Sequence, residues 1–220
     1  GYKNSYESKA TKLSVTISTS SQLTARIYVM LPNKIWFTGV PGSRWSAIAQ
    51  TIEEIPGMNT TDRTPEREYN HHKYSGHKGA YFGKGMEFPA LVIDNHVEQA
   101  FATQQGCKLI KSHEWADHLE GIQMLCPNDW IMLVYRPDQS SFAWWHEAGG
   151  FQIGYPDYSA YKNSANILSE ITRTNQLMLE WAGINNCKWE YFTSNWIADN
   201  FSAEVDVTNV WPDILVTLIK

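Results

Sequence analysis

The chain has only three cysteines in 220 residues, Cys107, Cys126 and Cys187. An odd number at wide spacing gives no disulfide framework and no CxxC metal pair, and a reducing compartment is the simpler reading. No run of about 18 apolar residues is present, so no membrane span is expected. No basic segment followed by an apolar one opens the sequence, so no signal peptide is expected and the protein reads as cytoplasmic. Positive charge is not in excess. With 18 Lys and Arg against 23 Asp and Glu, the net charge of −5 excludes a general attraction to nucleic acid or anionic membrane. An anionic ligand must therefore be held by local basic groups and helix N-termini. There is no internal repeat and no low-complexity segment.

What is present suits one α/β domain with a sizeable core. Ten Trp and eleven Tyr leave aromatic surface for pockets as well as core. Residues 1–30 differ in being rich in Ser, Thr and Lys, and read as an N-terminal extension or hairpin outside a single functional domain of residues 31–220. Residues 34–40 are an unbroken apolar run, as expected of a buried parallel strand. Trp45, Ile48, Ala49, Ile52 and Ile55 follow at helical spacing, and Pro56-Gly57 closes that helix. Residues 59–88 are polar, glycine-rich and without a period, and read as a long functional loop. Further strands are expected at 89–93, 108–111, 130–135 and 189–193. Helices are expected at 95–105, 114–121, from Asp138 onward and at 160–182, the last capped by Gly183. Residues 205–220 fit either type. Strands alternating with helices imply a mostly parallel central sheet flanked by helices, a three-layer sandwich of the P-loop nucleotide-hydrolase kind.

Two segments carry chemistry. Thr38-Gly39-Val40-Pro41-Gly42-Ser43-Arg44-Trp45-Ser46 joins a strand to a helix through a tight turn, which aims backbone N–H groups at an anion. Cys107-Lys108-Leu109-Ile110-Lys111-Ser112-His113 is a short apolar strand ending in a lysine and a histidine. Period-two alternation sends Lys111 and His113 to one side. An anion cradle beside a cation and a general base suits group transfer from a phosphorylated donor. Each part also has a plainer reading: an ordinary β–α turn, a solvated lysine, a structural histidine.

These segments resemble the sulfotransferases that use 3′-phosphoadenosine 5′-phosphosulfate. The turn is similar to the family's 5′-phosphosulfate loop, Pro-Lys-Ser-Gly-Thr-Thr-Trp. Leu109-Ile110-Lys111-Ser112-His113 is similar to its Lys-Thr-His strand end. Ile131-Met132-Leu133-Val134-Tyr135-Arg136-Pro137 is similar to the strand whose arginine binds the donor's 3′-phosphate. The patches span roughly half the chain, in the family's order. The loop lysine of the family falls on Gly42 and its loop glycine on Arg44. Its 3′-phosphate serine falls on Trp144, and its C-terminal glycine-rich basic motif has no counterpart.

The resemblance implies sulfuryl transfer to a hydroxyl or amine of a small-molecule or carbohydrate acceptor. The donor is 3′-phosphoadenosine 5′-phosphosulfate, and no metal is required. It implies that His113 takes the acceptor proton and that Lys111 stabilises charge on the leaving phosphate. Pro41, Gly42, Ser43, Arg44, Trp45 and Ser46 would cradle the phosphosulfate, with Arg136 and Ser140 or Ser141 at the 3′-phosphate. His71, His72 and His77 lack ligand spacing and read as part of the loop rather than a metal site. Two other classes stay open. A P-loop phosphotransferase would need a lysine where Trp45 stands. A non-catalytic nucleotide- or sugar-binding module would use the aromatic surface.

Overall fold

The computed structural model describes residues 30–62, 101–152, 159–207 and 212–220. Apart from Met30 the N-terminal extension lies outside these residues, as do His71, His72, His77, the strand expected at 89–93 and most of the loop expected at 59–88.

Six strands form one sheet: β1 (Lys34–Gly39), β2 (Met58–Asn59), β3 (Cys107–Lys111), β4 (Trp130–Tyr135), β5 (Glu190–Tyr191) and β6 (Leu215–Ile219), in the order β2-β3-β1-β4-β6-β5. β1 pairs in parallel with β3 and β4, and β2 with β3. β6 runs antiparallel to β4, and β5 antiparallel to β6. The sheet is therefore mixed and mostly parallel. Its central strands read as continuous apolar runs because both faces are covered. Ile35, Phe37, Leu109, Met132 and Val134 point into one core, while Trp36, Ile110, Ile131 and Leu133 point into the other. Each fully buried side chain of this size contributes roughly 1.5–3 kcal/mol.

The first face is covered by α1 (Trp45–Glu53) and α5 (Ser194–Phe201), whose Ile48, Ile52, Trp196 and Ile197 join that core. The second is covered by α2 (Leu119–Leu125), α3 (Asp138–Glu147) and the 21-residue α4 (Ser164–Ile184), through Ile122, Trp145, Ile167, Ile171 and Met178. Side-chain caps set two of the helix starts. Asn163 accepts from Asn166 N at 2.9 Å, and Thr193 from Trp196 N at 3.1 Å.

Several sequence expectations change. Residues 101–105 are irregular, so the helix expected to reach 105 does not. The helix expected at 114–121 divides into a 3₁₀ turn, His113–Asp117, and α2, because the Ser112 hydroxyl accepts Glu114 N at 3.2 Å and starts the turn early. Gly183 lies inside α4, and Asn185 closes that helix with its amide on Trp181 O at 2.9 Å. The ambiguous C-terminal segment supplies β6, and its antiparallel entry brings residue 213 to the edge where β1, β3 and β4 end.

Candidate functional site

The strand order sets the place. After β1 the chain moves to the β2–β3 side over the first face, and after β3 it crosses to β4 over the second. The crevice between the ends of β1 and β4 is thus a topological switch point, where open α/β sheets bind ligands. The β1–α1 turn fills it.

The turn is tight and largely inward-facing. Ser43 is buried, and both its backbone N and its hydroxyl donate to Val40 O, at 3.0 and 2.7 Å. Pro41 and Ser46 are also buried. Gly42 has φ +79, and a Cβ there would lie 1.9 Å from Ser141 O of α3. Arg44, the residue before α1, has φ 61 and ψ 21. A left-handed conformation at a residue with a Cβ costs roughly 1–2 kcal/mol and needs the surroundings to hold it. The resemblance puts a glycine at this position, which is the residue such a φ favours. The Arg44 guanidinium lies 4.4 Å over the Trp144 ring. Burial, followed by the charge of Arg136, holds Arg44 below its ordinary value.

Two other segments close on this turn. His113 Nδ1–H donates to Gly39 O, since a carbonyl can only accept. That bond sets the tautomer, so in the neutral ring Nε2 carries the lone pair a general base needs. The imidazole lies 4.2 Å from the Trp45 ring, which stacks in turn on Phe37 at 5.7 Å. The Trp45 ring is therefore a wall for His113. On the other side, Arg136 at the end of β4 donates from Nη1 to Gly42 O at 3.3 Å. Its Nε donates to both oxygens of Asp213, at 3.1 and 3.0 Å. Burial pushes the Asp213 carboxyl up, but hydrogen bonds from Arg136 and Ser140 together with the guanidinium charge outweigh it and leave the group below its ordinary value.

The other expected site residues separate. Ser140, in the first turn of α3, helps to hold the Asp213 carboxyl below its ordinary value and so belongs to the neighbourhood of Arg136. Ser141 is fully buried and donates to Arg136 O at 3.3 Å, which makes it part of the frame. Asn175 of α4 strengthens the frame by donating to Arg136 O at 2.9 Å and to Asp138 Oδ1 at 2.7 Å. Lys111 departs most from expectation. Its side chain is fully buried, and Nζ donates to Glu53 Oε1 at 2.5 Å. Glu53 lies eight residues along α1 from Trp45, about 12 Å of helix from the turn. In this arrangement Lys111 is a core ion-pair partner and not a group at the anion site.

Sequence reasoning missed Glu53, Asp213 and the Arg44–Trp144 stack. Only Glu53 left a signal, as a carboxylate next to Ile52 on the apolar stripe of α1. Burial raises all three thiols, and together with the charge of Asp129 it pushes Cys107 up to about 12. Among the described residues no group of His, Cys, Asp and Glu is arranged to hold a metal, and no helix is long and apolar enough to cross a membrane. No family model, curated protein or solved structure matches this chain.

Proposed function

We propose that the chain is a sulfotransferase that takes 3′-phosphoadenosine 5′-phosphosulfate at the β1–α1 turn and transfers its sulfuryl group to a hydroxyl or amine acceptor, a small molecule or carbohydrate. One observation carries the reading: two segments far apart in sequence meet on a single turn, with His113 on Gly39 at one end and Arg136 on Gly42 at the other. The sheet would then be of the P-loop-like kind, with this turn in place of a phosphate loop.

The donor set fits a polyanion. Arg44 is already lowered by burial and by the neighbouring Arg136, and a bound anion relieves that repulsion. Arg44 and the backbone N–H groups at the start of α1 would hold the phosphosulfate, and Arg136 with Ser140 the 3′-phosphate. When bound, the donor supplies an activated sulfuryl group on a phosphate leaving group. The work of the protein is then positioning and charge compensation. His113, held by Gly39 O and the face of Trp45, accepts the acceptor's proton at Nε2. Arg44 offsets charge gathering on the phosphate side. Lys111 has no part in this scheme.

Calorimetric titration with adenosine 3′,5′-bisphosphate, without magnesium and with AMP as control, tests the reading. Binding that requires the 3′-phosphate is the expected result. Equal binding of the two nucleotides, or a preference for ATP with magnesium, would sink it in favour of the phosphotransferase or binding-module classes.

A further inference from the structure

The groups best suited to a phosphate at this edge already hold an anion of the chain's own. β6 enters antiparallel to β4, with Leu215 opposite Tyr135, so Asp213 arrives beside Arg136. Both carboxylate oxygens take the Arg136 Nε–H. A guanidinium turned onto two anionic oxygens is a donor suited to a phosphate. The pair is lopsided in exposure. The Arg136 side chain is 7% exposed and that of Asp213 31%, so the cation is held while the anion is open to replacement.

We infer that Asp213 is an internal latch, a carboxylate that occupies Arg136 until a phosphate of the donor displaces it. This rests on the donor reading above and adds a control to it. Apparent affinity falls by the fraction of molecules in which the latch is open. The latch thus sets how strongly a ligand must use its 3′-phosphate: a dianion with three oxygens outcompetes one carboxylate, while a ligand lacking that group leaves the latch shut. The frame behind Arg136 is independent of it, because Ser141 and Asn175 hold the arginine through its backbone carbonyl.

The test is calorimetric titration of adenosine 3′,5′-bisphosphate, and separately of AMP, into the wild-type chain, Asp213→Asn, and Asp213→Asn combined with Arg136→Ala. Asp213→Asn should bind the bisphosphate about tenfold tighter than wild type, with AMP unchanged, and the double variant should lose the gain. Asp213→Ser, which also removes the charge, serves if the asparagine variant melts early. Bisphosphate binding that is unchanged or weaker in both single variants overturns the latch alone and makes Asp213 a positioning partner of Arg136. No bisphosphate binding by the wild type or any variant overturns the donor reading, and the latch with it.

Discussion

Lys111 and Arg136 end the two strands that flank β1, and each pairs with a carboxylate from another element. The first pair is sealed, with side-chain exposures of 0% for Lys111 and 3% for Glu53. The second has one buried partner and one open, at 7% and 31%. A basic residue at the end of a parallel strand therefore says little about its use. The difference lies in where the partner enters. Glu53 comes from the last turn of α1, down one face of the sheet, and draws the ammonium into the core. Asp213 comes from the strand-end edge and keeps the guanidinium beside the turn.

Removing one partner of the sealed pair should have the largest effect. Lys111→Met leaves a buried carboxylate without its cation and should cost about 3–5 kcal/mol in chemical denaturation, with most of it regained when Glu53→Leu is added. A loss below about 1 kcal/mol would mean that the pair is open to water rather than sealed. The second comparison is within one strand end. His113→Ala, two residues on, should lower turnover about a hundredfold while leaving bisphosphate affinity within about twofold. Undiminished turnover would remove it from the mechanism. The smallest change in stability is expected at Arg44→Gly. Relief of the left-handed φ offsets the lost Trp144 stack, so stability should shift by no more than about 1 kcal/mol. Nucleotide affinity should nevertheless fall about tenfold or more. Melting and titration on the same preparation separate the two, and unaltered affinity would place the anion elsewhere.

Local features were legible in the sequence where the physics is local. The apolar run at 130–135 is β4, residues 34–39 of the first run are β1, and the spacing from Trp45 is α1. Arg136, His113 and the turn could be named as a group because each stands at the end of such a run. What failed depends on distant partners. Nothing near Lys111 announces a carboxylate 58 positions away, and nothing near Arg136 announces one 77 positions away. The antiparallel entry of β6 is likewise set by which edge of the sheet is vacant, not by residues 215–219 themselves. Ser140 and Ser141 were both candidates for the 3′-phosphate, and the rotation of α3 buries Ser141 beneath Arg136, where its hydroxyl donates to the Arg136 carbonyl.

Gly42 has a wider consequence. With Ser141 O where its Cβ would stand, position 42 has no volume for any side chain. The turn can carry charge only at neighbouring positions, and Arg44 carries it at the expense of a backbone conformation that glycine would adopt freely. On the proposed reading the two residues form a matched exchange: the contact with α3 leaves no place for a cation at 42, and Arg44 supplies it from a left-handed backbone two residues later. Because the obstacle is the backbone carbonyl of residue 141, no substitution there relieves it, and position 42 stays glycine whatever stands at 44.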